Sequence, residues 1–155
     1  MKRLVLVAAV AALLVTGLPS PLAAQILDLA LSPRVITFPS SDPDAQPVVD
    51  APPVTVTYRI RQNVASPWSL TVLAGGDLIS GPSKVDISNV SWVATPAPPF
   101  QNGTLSKTIA QRVASGTGNV ANPNATGLIT FRLANSWTYS TGTYTQTVLF
   151  TLSAP

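Results

Sequence analysis

Val54-Thr55-Val56-Thr57-Tyr58-Arg59-Ile60-Arg61 is the stretch that decides the fold class. Val54, Val56, Tyr58 and Ile60 alternate with Thr55, Thr57, Arg59 and Arg61. Successive side chains on a strand point to opposite faces, so this period of two describes a strand with one greasy side and one wet side. A helix would need apolar residues at i, i+3 and i+4, and here the i+3 positions hold Thr57, Arg59 and Arg61 instead. β-branched and aromatic residues fill it, which suits a pleated, half-buried surface.

The same alternation recurs on both sides of this stretch. Trp68, Leu70 and Val72 alternate with Ser69 and Thr71, and Ile129, Phe131 and Leu133 with Thr130 and Arg132. Near the end, Tyr144, Val148, Phe150 and Leu152 alternate with Thr145, Thr147, Thr151 and Ser153. Weaker strands are expected at Leu27 to Leu31, Arg34 to Phe38, Val85 to Thr95 and Ser106 to Ala114. Within Val85 to Thr95 the apolar phase slips between Ile87 and Val90, which calls for a bulge or a break into two short strands. About eight short strands separated by turn residues predict an all-β, antiparallel β-sandwich.

Three segments read as loops. Pro39 to Pro53 holds five prolines in 15 residues, and proline removes the donors a central strand needs, so it is expected to be an extended crossover. Residues 96–103 are irregular and end in an Asn-Gly turn signal, and Ser115 to Gly127 is small, polar and glycine-containing.

The first 24 residues have the parts of an export signal in order. Lys2 and Arg3 start it, Leu4 to Val15 is an unbroken apolar run, and Leu22-Ala23-Ala24 offers a small-residue cleavage site before Gln25. The apolar run is shorter than the roughly 20 residues a membrane helix needs. No cysteine follows it to carry a lipid, and no second run of that kind exists, so no membrane span is expected after cleavage. The expected organisation is a signal peptide at 1–24, N-terminal strands and a proline-rich crossover at 25–53, and the sandwich core at 54–155. Residues 25–155 form one domain, and the product is secreted to the cell surface, cell wall or periplasm.

Charge and composition narrow the function. Two of the nine basic residues lie in the signal, which leaves seven against six aspartates. The seven are scattered, so the basic stripe of a nucleic-acid-binding surface is missing. The chain has no histidine, cysteine or glutamate. That removes histidine-assisted nucleophiles, thiolate or imidazole metal ligands, and disulfides. A carboxylate pair could come only from Asp28, Asp42, Asp44, Asp50, Asp77 and Asp86, and three of these lie in the proline-rich loop. The expectation is a non-enzymatic protein without cofactor or metal. Asp42-Pro43-Asp44 sets two hard oxygen donors close together, but without the spacing or glycine of an EF-hand loop it reads as a solvated turn. Gly116-Thr117-Gly118 lacks the lysine and further glycines of a phosphate loop. Three Asn-x-Ser/Thr triplets, at Asn89, Asn102 and Asn124, fit a glycosylation pattern, but the bacterial look of the signal argues against modification.

Aromatic side chains remain as binding candidates. Trp68 shares the phase of Leu70 and Val72, which places it in the core. Trp137 and Tyr139 follow the strand around Phe131 and precede Gly142, and they are the candidates for an exposed platform on which a sugar could stack.

Ser66-Pro67-Trp68-Ser69-Leu70-Thr71-Val72 resembles the first Trp-x-Leu motif of bacterial WxL domains. The closing stretch, Gly142-Thr143-Tyr144-Thr145-Gln146-Thr147-Val148-Leu149-Phe150-Thr151-Leu152-Ser153-Ala154-Pro155, resembles the second, with Phe150 where the family has tryptophan. The resemblance runs from about Val54 to Pro155. It implies a sandwich held non-covalently on the cell wall, with peptidoglycan as ligand class and Trp68, Leu70, Phe150 and Leu152 as motif positions that shape the core. Similar closing strands occur in fimbrial and coat-type subunits. The competing expectation is therefore a self-assembling subunit in which the alternating segment Ile26 to Phe38 adds to the sheet edge of another copy or another surface protein.

Overall fold

A computed structural model describes residues 25–62 and 66–155, the side chains of residues 121–124 excepted. Residues 1–24, read above as an export signal, lie outside the described residues. Eleven strands account for most of the described chain, and one 3-10 turn is its only helical element.

The strands are β1 (Ile26–Ser32), β2 (Val48–Asp50), β3 (Val54–Arg61), β4 (Pro67–Ala74), β5 (Leu78–Ser80), β6 (Ser83–Val85), β7 (Val90–Thr95), β8 (Gly103–Thr104), β9 (Gln111–Thr117), β10 (Val120–Ala134) and β11 (Val148–Ser153). The larger sheet runs β1-β3-β10-β7-β8, with β2 pairing the far end of β10. The smaller runs β11-β4-β9, and β5-β6 is a separate hairpin. Every ladder is antiparallel.

The two sheets close on one core, as the alternation requires. Val56, Tyr58, Ile60, Trp92, Ile129 and Phe131 come from the larger sheet, and Trp68, Leu70, Val72, Val113 and Ala114 from the smaller. Tyr58 and Trp68 meet across the interface with ring centroids 5.2 Å apart. No polar or charged residue is buried among those described. Large aromatics and branched aliphatics therefore carry the stability through burial, at about 25 cal/mol per Å² of apolar surface removed from water.

The two seams of the sandwich differ. Between β7 and β9 the chain lays a strap across the gap. Gln101 N donates to Val113 O at 2.8 Å, Ser115 N to Pro99 O at 3.3 Å, and Leu105 N to Val90 O at 2.8 Å. Phe100 and Leu105 are buried beneath it, and Trp92 Nε1 donates to Gln101 O at 2.9 Å. On the opposite side β1 and β11 face each other without a shared ladder. There Leu27, Leu29, Leu31, Val148, Phe150 and Leu152 are only half-buried.

Five sequence expectations need correction. Arg34 to Phe38 forms no strand; Ile36 and Phe38 pack on the core from an extended segment. The proline-rich crossover contains β2, three residues that pair an edge of β10 where the prolines do not interfere. Residues 106–110 turn rather than extend, and Tyr144 to Thr147 contributes a single bridge, Thr145 to Ile79, instead of continuing β11. Most of Ser115 to Gly127 is strand: only Gly118 and Asn119 separate β9 from β10, with Gly118 at φ 77°. The phase slip after Ile87 is the predicted break, filled by a 3-10 turn (Ile87–Asn89) that Asp86 caps by accepting from Ser88 N.

Candidate functional site

The chain's loops gather at the end of the sandwich where β10 finishes and β11 begins. Loops are where a rigid sandwich carries recognition. β10 delivers Asn135 at its tip, and Asn135 organises what surrounds it. Its backbone N–H donates to Pro47 O at 2.8 Å. Its side-chain amide donates to Ser41 O at 3.1 Å and Gln46 O at 3.2 Å. One amide thus holds both ends of the turn at residues 41–47.

That turn is built by its own aspartate. Asp42 Oδ1 accepts from Asp44 N at 2.9 Å, and Asp42 O accepts from Ala45 N and Gln46 N. Short polar side chains that bond the backbone two residues on favour such turns. The turn carries the Asp44 carboxylate to the indole of Trp137, whose Nε1 donates to Asp44 Oδ1 at 3.1 Å. Trp137 is 68% exposed. It is the largest side chain the described surface offers, and its one polar atom is tied down.

Tyr139 does not share this exposure. It is half-buried, its hydroxyl donates to Ala134 O at 3.0 Å, and burial raises its pKa above the ordinary phenol value. It props the loop from below, while Ser136 and Thr138 link their hydroxyls at 2.9 Å. The predicted pair of rings thus resolves into one open ring and one support. Sequence reasoning missed Asp44 and Asn135 as members of the site. Nothing in the spacing relates residues 44 and 137, which meet only because β2 and the end of β10 are neighbours.

The remaining aspartates have local partners. Asp28 accepts from Arg59 Nε at 2.7 Å and Asp50 from Arg132 Nε at 2.9 Å, both on the outer face of the larger sheet. At the same end as Trp137, Lys107 Nζ donates to both oxygens of Asp77, at 2.7 and 2.8 Å, and reaches Asp86 at 3.5 Å. The Lys107 hydrogen bond, then the Ile87 N–H, holds the Asp77 carboxyl below its usual range, and Ser88 does the same for Asp86. Among the described residues no three acidic side chains converge as metal ligands.

The residues that carry the Trp-x-Leu resemblance lie together but away from this end. Leu70 pairs with Leu152 and Val72 with Phe150 on adjacent strands. Trp68 and Leu70 are buried, and Phe150 meets Phe131 edge-on at 6.4 Å. An open furrow of about 420 Å³, lined by Pro67, Trp68, Ser69, Ser153, Ala154 and Pro155, sits at the opposite end of the sandwich and holds no charged side chain. No protein-family model and no curated protein matches the chain. No helix among the described residues is long and apolar enough to cross a membrane.

Proposed function

We propose that this chain is a secreted, non-catalytic envelope domain that holds a cell-wall glycan against the open face of Trp137. The observation that carries the reading is the hydrogen bond from Trp137 Nε1 to Asp44, which fixes a mostly exposed indole in one orientation. A sugar ring presents an apolar C–H face. Stacking that face on a rigid aromatic removes apolar area from water at little entropic cost to the protein. The surrounding Ser136, Thr138 and Asp44 supply hydroxyl and carboxylate groups for the rim of polar contacts that sugars need. The Trp-x-Leu resemblance points to the same ligand class. Absence of histidine, cysteine and glutamate supports binding over chemistry.

The test is sedimentation of the chain lacking residues 1–24 with purified peptidoglycan sacculi. Wild type is expected in the pellet, Trp137→Ala in the supernatant, and Trp68→Phe, if folded, in the pellet. Equal pelleting of wild type and Trp137→Ala would exclude this site, and a wild type left in solution would exclude the ligand.

A further inference from the structure

We propose that β1 is an exchangeable strand, and that the β3 edge of one molecule accepts β1 from a second copy of this chain. The proposal does not depend on what Trp137 binds.

β1 is attached along one side only. It pairs with β3 over seven residues, from Ile26 with Arg61 to Ser32 with Thr55, and has no other ladder. Its inward side chains Leu27, Leu29 and Leu31 are half-buried, whereas Val56, Tyr58 and Ile60 beside them on β3 are fully covered. The seam on its far side, against β11, is the one no strap closes. β1 is therefore an edge strand held by a single ladder, with apolar side chains only half covered on its free side. The edge it uncovers would not stay empty, because unpaired strand donors and acceptors beside an apolar flank recruit another strand. The occupant that fits that edge in register is already seated on it, namely a copy of β1.

The connector permits the move. Among the described residues, none from Pro33 to Ser40 makes a hydrogen bond, to backbone or side chain. The chain is next fixed at Ser41, by Asn135. Eight residues, and so nine Cα-to-Cα steps, separate Ser32 from that anchor, which at about 3.3 Å a step reach roughly 30 Å. β1 itself is about 23 Å long. Swinging β1 clear of its own edge and onto a neighbour's breaks, outside the ladder, only the Gln25–Pro155 and Arg59–Asp28 side-chain hydrogen bonds, and it loosens the packing of Ile36 and Phe38. Exchange recreates the same ladder, the same Asp28–Arg59 ion pair and the same leucine contacts, so concentration sets the balance, as in other domain swaps.

The natural chain has no cysteine, so engineered thiols report without background. Ala30 and Thr57 face each other across the β1–β3 ladder on its outer side, within range of a disulfide. A double variant, Ala30→Cys with Thr57→Cys, is refolded under oxidising conditions at low and high concentration and run on non-reducing gels. Intrachain bonds at low concentration, giving way to disulfide-linked dimers and ladders at high concentration, are expected. A mixture of size-tagged Ala30→Cys with Thr57→Cys should form the mixed disulfide in excess over a mixture with Thr151→Cys, whose thiol is exposed on β11. Intrachain bonds at every concentration would overturn the proposal. So would equal yields of the two mixed disulfides, or thiols that never pair, since then the β1–β3 edge is not what joins the copies.

Discussion

Trp68 on β4 pairs with Gly116 on β9, and a Cβ on residue 116 would lie 2.6 Å from the ring's Cζ2. The indole lies over the bare backbone of its cross-strand partner. Trp92 does the same over Gly103 and Phe100 over Gly127, so three of the aromatic rings that fill the core rest on glycine. Shape alone holds Trp68: its Nε1 is buried without a hydrogen-bond partner among the described residues. Gly116→Ala should therefore destabilise by about 1–3 kcal/mol, the range for forcing a methyl into a packed core. Gly118→Ala meets no atom but sits at φ 77°, and should cost about 1–2 kcal/mol from backbone strain alone. Urea unfolding separates them. Shrinking the ring with Trp68→Leu should lessen the effect of Gly116→Ala and leave that of Gly118→Ala unchanged, which a double-mutant cycle measures.

The Leu70–Leu152 pair tests whether the positions of the Trp-x-Leu resemblance are core or contact surface. Leu70 is 0% exposed, while Leu152, directly opposite, is half-buried beside the open seam. Leu70→Ala should cost about 2–5 kcal/mol, and Leu152→Ala less, because water already reaches part of it and a cavity there need not stay empty. Both variants, where folded, should pellet with sacculi like wild type. A folded Leu70→Ala protein that fails to pellet would move the ligand from Trp137 to the motif strands.

Much of this architecture was legible because burial follows alternation. Val54 to Arg61 became β3, the central strand between β1 and β10, with every even-numbered side chain buried. Trp68 went inward for the same reason. What could not be read were places where a partner far along the chain supplies what the local pattern lacks. Gly116 and Gly127 look like loop residues until the rings that cover them are known. Val48 to Asp50 is too short and too proline-flanked to announce a strand, and it exists because the long β10 outruns β3 and leaves an edge to pair. Arg34 to Phe38 has the pattern of a strand, but no edge hydrogen-bonds it. At the site, exposure of Trp137 was expected. Asp44 as its partner was not, since 93 residues separate them.

Trp137 should be spectroscopically separable from the other two tryptophans. Trp68 and Trp92 are 5% and 1% exposed, against 68% for Trp137. Iodide should quench a single, red-shifted component of the emission. Trp137→Phe should abolish that component and change stability by less than about 0.5 kcal/mol, as for surface substitutions generally. Asp44→Asn should keep the residue's size while weakening the indole's acceptor, broadening the ring's orientations. Its expected signature is lower fluorescence anisotropy for the exposed component together with weaker sacculus binding. Quenching spread evenly over all three rings would mean that the loop end is not arranged as described.

The Lys107–Asp77 pair gives the fold a pH dependence whose sign can be worked out. The Lys107 hydrogen bond holds Asp77 below its usual value near 3.8 in the folded state. A carboxyl with a depressed folded pKa contributes stability that is complete above the unfolded value and is lost as pH falls through the folded one. Lys107 is shifted the other way, above 10.5, chiefly by its hydrogen bond to Asp77. Its contribution is complete below the usual lysine value and is lost as pH rises through the folded one. The pair thus stabilises over the range between those two limits. Asp77→Asn should lower Tm at neutral pH, and the gap should close as both proteins are taken below the carboxylate range. Because the groups are solvent-accessible, salt should narrow the gap at neutral pH as well. Lys107→Met should produce the same pH profile, and Asp77→Asn added to it should lower Tm by less than it does alone. A gap that persists unchanged into acid would exclude the Lys107 pair as its source, and the Ile87 N–H contact would not explain it either, since an asparagine side-chain oxygen at residue 77 can still accept that bond.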